Sequence, residues 1–323
     1  MRVHDPHQLY QRTYPGEYQN RPFNPKLSWP YADKDLGWVF NMVNVMHSTR
    51  DRQVFYKMNH EGFRDDKDFD ANPPDPGKKR IMVLGDSFVF GLFINREDTI
   101  PSLLQKRMGG QYSVYNFGIM GWGVDQMYFA YEKYRDKIKP DVCVLFFIDD
   151  DIVRTFEAYR KEDGNKPSFN IKDGRLVLRR GKDTSVWEEW LKGSYLWELV
   201  YTVYRYVYAK EIVRLVFHEM IQESRQHHEE FMVVRIPSRD DLKCHNLGCM
   251  QRSNYFSFKD YFNKAGINYV EIREYMKNLT PDQYDLLYIP KDSHLSRKGT
   301  EFVTNTVAPL LAKFDHKQLL IKK

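Results

Sequence analysis

The chain has too little cysteine for a disulfide framework, with three residues in 323, at positions 143, 244 and 249. Cys244 and Cys249 are close enough in sequence to pair in an oxidising compartment, whereas Cys143 lies within an apolar run and reads as a buried small hydrophobe. No uninterrupted apolar run reaches the roughly 18 residues of a membrane-spanning helix. The opening Met1-Arg2-Val3-His4-Asp5-Pro6 has no hydrophobic stretch of the signal-peptide kind, so the chain reads as soluble as given, with no membrane span. Charge of one sign is scarce as well. The net charge is +5, and lysines and arginines are interleaved with acids. The basic stripe that tracks a phosphate backbone is missing, which argues against nucleic acid as a partner.

What is present is apolar and aromatic. A 42% hydrophobic share with 22 Tyr and 21 Phe is enough to fill a core and excludes disorder and coiled coil. Residues 1–78 are polar, Pro-rich and dotted with aromatics, and close on Asn72-Pro73-Pro74-Asp75-Pro76-Gly77, so they read as an irregular N-terminal extension. From residue 79 to 323 the pattern changes to alternating strands and helices. Strands are expected at 80–84, 113–117, 141–148, 231–236 and 267–272, and helices at 97–108, 124–138, 253–264 and from 296 onward. Near-continuous apolar strands alternating with helices predict an α/β fold, a parallel sheet covered on both faces, with ligands at the carboxyl ends of the strands. An insertion at about 165–228 interrupts the alternation. It carries Asp173-Gly174 between strand-like runs, a hairpin signal, and an aromatic-rich stretch over 186–223 that reads as one or two amphipathic helices packed on the core, or alternatively as a lid.

The chemistry concentrates at two places. Gly85-Asp86-Ser87-Phe88 follows directly on a buried strand, which puts a hydroxyl on the strand-to-helix turn at the ligand end of the sheet. Near the other end, Asp292-Ser293-His294 supplies an imidazole as a base and, two residues before it, a carboxylate able to orient it. Asp149-Asp150-Asp151 reads as a solvated strand-end loop rather than a cation site. Cys244, His245 and Cys249 beside His227 and His228 lack the paired hooks of a zinc site, so no metal and no cofactor are expected. Arg64 and Arg154 read as surface ion pairs, with binding of an anionic substrate group as the alternative.

In these motifs and their order the chain resembles the SGNH, or GDSL, hydrolase superfamily. The resemblance spans about residues 79–315 and rests on four blocks: Gly85-Asp86-Ser87-Phe88, Asn116-Phe117-Gly118-Ile119-Met120-Gly121, Phe147-Ile148-Asp149-Asp150 and Asp292-Ser293-His294. Upstream, Asn59-His60-Glu61-Gly62-Phe63-Arg64 is similar to the lead-in of a bacterial branch. The resemblance implies a flavodoxin-like three-layer α/β/α sandwich and a serine esterase working through an acyl-enzyme. Its catalytic residues would be Ser87, Asp292 and His294, and its oxyanion hole would use Ser87, Gly121 and the position of Asp149. It implies an acyl or acetyl ester of a carbohydrate or lipid-like molecule as substrate. The alternatives are O-acyl transfer to a polysaccharide, or a weakly catalytic binding module in envelope polysaccharide assembly. The compartment follows from whether a leader was removed: envelope or secreted if so, cytoplasmic otherwise. One departure stands out, because the third block supplies an Asn amide in the family and this chain has Asp149. An ionised carboxylate only accepts hydrogen bonds, so Asp149 is expected to be protonated, to be replaced by a neighbouring donor, or to slow turnover.

Overall fold

A computed structural model of the chain describes residues 31–40, 45–48, 53–69, 77–157, 159–160, 164–179, 195–239 and 256–321. Cys244, His245 and Cys249, with the pairing and zinc readings attached to them, lie outside the described residues, as do 186–194 of the aromatic stretch and 253–255 of the helix expected from 253.

Two antiparallel pairs come first, β1 (Tyr31–Asp33) with β2 (Gly37–Val39) and β3 (Val45–Ser48) with β4 (Gln53–Tyr56). The main alternation follows. Strand β5 (Lys79–Gly85) leads into the short helix α1 (Ser87–Phe90) and then α2 (Ile100–Met108). Next come β6 (Tyr112–Gly118), α3 (Val124–Ile138), β7 (Val142–Phe147) and α4 (Asp149–Phe156). Two further antiparallel pairs are β8 (Tyr159–Arg160) with β9 (Gly164–Asn165) and β10 (Ser168–Lys172) with β11 (Arg175–Arg179). The long α5 (Tyr195–Gln226) then feeds β12 (Glu230–Arg235), α6 (Lys259–Ala265) and β13 (Asn268–Glu271). Helices α7 (Ile272–Tyr275), α8 (Pro281–Leu287) and α9 (Arg297–Ile321) complete the described chain.

Five strands form one sheet in the order β13-β12-β7-β5-β6, with every neighbouring pair parallel. Counted by position in the sheet, this is the flavodoxin-like doubly wound order, whose switch point lies between β5 and β7. Strand alternation sends Ile81 and Val83 to one face and Met82 and Leu84 to the other. Helices α2, α7 and α9 close the first face through residues such as Leu104, Ile272, Val303, Val307 and Leu311. Helices α3 and α5 close the second through Met127, Tyr131, Val213, Val216 and Phe217.

Local signals explain the helix bounds. The helix expected from residue 97 begins instead at Ile100, because the Thr99 hydroxyl caps the Ser102 N–H and Pro101 sits in the first turn, where a missing N–H is harmless. Arg96–Asp98 form a separate 3-10 turn. Helix α3 places Asp125 at its start and Arg135 and Lys137 at its end, matching the helix dipole. The hairpin at Asp173-Gly174 forms as expected, with both turn residues at positive φ (52° and 73°), the signature of a primed turn.

Two expectations change. The stretch before residue 79 is not irregular over its described part: besides its strands it buries Leu36, Trp38, Val39, Phe40, Phe63 and Phe69 in the same core cluster as Phe117 and Tyr134. Aromatic side chains, spaced without helical or strand period, carry this packing, which is why periodicity missed it. The region 165–228 is likewise not all insertion. Ala209, Ile212, Val213, Val216, Phe217, Met220 and Ile221 of α5 lie on the sheet, so its second half is the crossover helix between β7 and β12, while Val203, Tyr204 and Val207 in its first half are exposed.

Arg64 shows how the early segment serves the sheet. It is buried, lies 4.5 Å from the Tyr56 ring centroid, and donates to the carbonyls of Phe90, Gly91 and Ile94 at 3.1, 2.6 and 2.9 Å. Phe90 is the last residue of α1 and Gly91 its C-cap, so the guanidinium fastens the end of the helix to the turn that follows it. The surface ion pair expected of Arg64 is therefore corrected: burial draws its guanidinium down to about 10, and its partners are backbone oxygens. Arg64→Met should leave several buried carbonyls unpaired and cost about 3 kcal/mol or more in urea denaturation.

Behind the sheet, Tyr131 donates to Glu229 at 2.6 Å, and burial, aided by Glu223 and Asp136, pushes the Glu229 carboxyl up to about 7. A carboxyl raised in the folded state binds its proton more tightly than in the unfolded chain, so stability is lost as pH climbs from the unfolded value through about 7. Glu229→Gln keeps an acceptor for Tyr131 and should flatten this loss, seen as a smaller drop in Tm between about pH 5 and about pH 8.

Candidate active site

Sheet topology brings the separated motifs together. Ser87 follows β5, the Gly121 turn follows the neighbouring β6, and Asp149 follows β7 on the other side. The turn after β6 is fastened to β5 by a hydrogen bond from Ile119 N to Gly85 O at 3.2 Å. Gly118 is required there, since a Cβ would sit 2.3 Å from Phe90 N. Gly121 adopts φ 76°, the left-handed region that glycine enters without strain. The early segment braces the same turn. Trp38 Nε1 donates to Met120 O at 3.1 Å, Trp122 Nε1 donates to Trp38 O at 3.0 Å, and Asn116 donates from its N and Nδ2 to Asp65 Oδ2 and Arg64 O.

Ser87 begins α1 and is capped locally, as Asp86 Oδ1 accepts from Phe88 N at 2.9 Å. His294 arrives from a loop between α8 and α9 whose ends are pinned by the Tyr288–Leu295 bridge and by Ile289 N to His294 O at 2.9 Å. Its Nε2 lies 2.8 Å from Ser87 Oγ, and its Nδ1 lies 2.6 Å from Asp292 Oδ1. The same Asp292 oxygen accepts from His294 N at 2.7 Å, so the carboxylate fixes both backbone and ring. With Nδ1 donating to a carboxylate, the neutral imidazole presents Nε2 as an acceptor toward the serine hydroxyl. The rings of Phe88 and Phe93 stand 5.2 and 5.9 Å from the imidazole. Phe93 and Lys291 both hold positive φ (64° and 63°), unusual for residues with side chains and a form of strain that gathers at functional sites. Ser87 and Asp292 are buried, while about a fifth of the His294 side chain is exposed (21%).

Asp149 takes a different role from any the sequence suggested. It is buried, and Arg235 Nε and Nη2 bind its two oxygens at 2.8 Å each, while Arg235 Nη1 reaches Glu271 at 3.2 Å. The carboxylates of Asp149 and Glu271 hold the Arg235 guanidinium above its ordinary range. A bidentate guanidinium requires an ionised acceptor, so the protonated Asp149 that could donate to an oxyanion is not what this geometry contains. The loop expected at 149–151 is the first turn of α4, and its acids diverge. Asp151 accepts from Ile148 N and from Arg154 Nη1, at 3.0 and 2.5 Å. Arg154 Nη1 also reaches Asp86 Oδ2 at 3.1 Å, so Arg154 is set beside the serine turn rather than in a surface pair. Among the described residues, no group of three or more His, Cys, Asp or Glu is arranged to hold a metal ion.

Arg235, the placement of Arg154 and the early aromatics escaped sequence reading. The available signal was a charged residue closing an otherwise apolar strand, Phe231-Met232-Val233-Val234-Arg235, at the ligand end of the sheet.

No family model and no curated protein matches the chain. Among solved structures, the chain is similar to TesA, with 14% identity, 72% of this chain and 98% of that one covered, and a TM-score of 0.47. It is similar to an acetyl xylan esterase, AlAXEase, at 17% identity, 71% and 97% coverage and a TM-score of 0.45. A third is a member of the lipolytic G-D-S-L family from Veillonella parvula DSM 2008, at 13% identity, 70% and 94% coverage and a TM-score of 0.42. The fold class itself rests on the strand order and the two helix layers described above.

The Asp149–Arg235 pair alters what a substitution at 149 does. Asp149→Asn would supply an amide but strand a buried guanidinium with Glu271 alone, so it should destabilise the fold by about 3 kcal/mol in urea denaturation. If the chain is the esterase that its motifs resemble, a gain of about a hundredfold in activity, the size of one oxyanion donor, is expected only when Arg235 is neutralised as well, as in Asp149→Asn with Arg235→Gln.

Proposed function

We propose that the chain is a serine esterase that cleaves an acyl or acetyl ester of a carbohydrate or lipid-like molecule through an acyl-enzyme on Ser87. The observation that carries this reading is the continuous hydrogen-bond chain Ser87–His294–Asp292, with links of 2.8 and 2.6 Å, in which the serine and the histidine are 207 positions apart.

In this reading Ser87 Oγ attacks the ester carbonyl as its proton passes to His294 Nε2, and the resulting imidazolium is stabilised by Asp292 at Nδ1. The tetrahedral oxyanion is held by the backbone N–H groups of Ser87 and Gly121, two donors on adjacent strand ends. His294 then returns the proton to the leaving alkoxide, which departs as an alcohol. Water, deprotonated by the same imidazole, attacks the acyl-enzyme, releases the acid and regenerates Ser87. No step requires a cofactor. The specificity elements lie outside the triad: α4 and the loop bearing His294 frame the serine, and Phe88 and Phe93 supply apolar surface against the imidazole.

The third donor position favours one second reading. With Asp149 committed to Arg235, two backbone donors serve the oxyanion, and loss of one such donor costs about a hundred- to a thousandfold in rate. A slow esterase, or a module that binds an acylated glycan without turning it over, fits that geometry. O-acyl transfer to a glycan differs only in the acceptor that meets the acyl-enzyme and is read from the product, acylated sugar rather than free acid.

Fluorophosphonate labelling tests the proposal directly. Wild type should be labelled and should hydrolyse a short-chain nitrophenyl ester, and both signals should vanish in Ser87→Ala and fall at least about a thousandfold in His294→Ala. A folded wild type that takes no label would assign the chain to the binding reading.

A further inference from the structure

We propose that Arg154 is a positioning residue for Ser87, holding the Asp86 carboxylate so that the serine proton is directed to His294. This inference rests on the reading of Ser87 as the nucleophile. A serine hydroxyl has one proton to donate, and two acceptors compete for it here: His294 Nε2 at 2.8 Å and Asp86 Oδ2 at 3.2 Å. Only the first is productive, because the base that takes the proton must afterwards deliver it to the leaving group, and of the two acceptors the imidazole is the partly exposed one. Asp86 cannot be dispensed with, since its other oxygen caps Phe88 N and so shapes the turn that presents the serine. The chain thus keeps a carboxylate against its own nucleophile.

Arg154 resolves that competition. Its Nη1 lies 3.1 Å from Asp86 Oδ2, the same oxygen that faces Ser87, and a guanidinium on an acceptor oxygen weakens what that oxygen offers a neutral hydroxyl. The side chain reaches there from α4, held by Asp151 at 2.5 Å. Asp151 is wholly buried, and with Asp86 it holds the guanidinium between two acceptors. Asp151 in turn is anchored by Ile148 N at the end of β7. The position of the guanidinium is therefore set by the sheet, not by a mobile surface chain. Among the described residues the His294 imidazole meets Asp292 on its own loop, Ser87 and Phe88 on the serine turn and Phe93 beyond α1, while Asp86 meets Ser87, Arg154 meets Asp86 and Asp151 meets Arg154.

The test compares Arg154→Met, Arg154→Lys, and Arg154→Met combined with Asp86→Asn, using a short-chain nitrophenyl ester and fluorophosphonate labelling of the full chain. Arg154→Met should lower kcat by about a hundredfold with KM within about twofold, the split expected when proton transfer rather than binding is impaired. Its acid limb in kcat/KM against pH should move up by about half a unit or more, because an uncompensated Asp86 charge favours the imidazolium. Arg154→Lys, which keeps the charge, should lose less, and Asp86→Asn in the Arg154→Met background should recover much of kcat by removing the competing carboxylate. A labelled wild type whose Arg154→Met variant keeps kcat and its acid limb overturns this proposal alone. So does a double variant as impaired as Arg154→Met while melting like the wild type. A wild type without Ser87-dependent labelling overturns the esterase reading and this proposal with it. If Arg154→Met does not fold, Asp86→Asn alone decides the matter: its acid limb should move down, since Arg154 would then oppose the imidazolium unbalanced, and an unmoved limb overturns the proposal.

Discussion

The hydrogen bond from Ser87 to His294, 2.8 Å long, joins the end of the first sheet strand to a loop that enters the fold almost at its last helix. Both ends are held by dedicated structure. On the serine side, Gly85 and Gly118 allow β5 and β6 to close on α1, and Arg64 fastens the end of α1 to the turn that follows it. On the histidine side, Asp292 Oδ1 binds the ring and the backbone N–H of the same residue, so the imidazole cannot turn without breaking its bond to the carboxylate and its bond to the serine. A bond of this kind is worth little by itself. Its geometry persists because rigid elements over-determine the positions of the two residues.

Charge is distributed around this centre in an orderly way. Three arginines, Arg64 and Arg235 buried and Arg154 partly so, reach the carboxyl ends of the strands or the turn after them. Each has a separate set of partners: Arg64 has backbone oxygens, Arg154 has Asp86 and Asp151, and Arg235 has Asp149 and Glu271. A further buried pair, Lys166 with Asp125, ties the segment before β10 to the first turn of α3, where Gln126 also binds Leu36 O of the first hairpin. Buried ions of this sort contribute modestly to net stability, since desolvation offsets most of their attraction, but they penalise any rearrangement that would separate them. The result is a site whose acids are committed to fixed partners before a substrate arrives.

The functional consequence is a division between donors and acceptors. In the proposed reading the oxyanion donors are the backbone N–H groups of the serine turn and the Gly121 turn, whereas the third strand end carries a carboxylate bound by Arg235. In that reading an oxyanion would depend on main-chain donors, with the side-chain cation of Arg154 engaged by Asp86, the residue before Ser87. Rate and substrate range would then turn on how well those two amides and the aromatic surroundings of His294 fit the acyl group.

Much of this was legible in the linear chain. The alternating apolar strands and helices define an α/β sheet because the burial period of each element is local, and the helix expected at 124–138 forms with those bounds. Gly85-Asp86-Ser87 and Asp292-Ser293-His294, singled out in the sequence by residue type at short spacing, meet in the fold through Ser87 and His294. Three things were decided only in three dimensions. The early segment joins the core through aromatics such as Trp38, Phe63 and Phe69, whose contacts have no sequence period. Helix α5 became a layer of the sandwich through Ala209, Ile212, Val213, Val216, Phe217, Met220 and Ile221, which lie on the sheet. The state of Asp149 and the task of Arg154 depend on Arg235 and Asp86, residues 86 and 68 positions away, since the charge of a buried group is set by whichever neighbours the fold places against it.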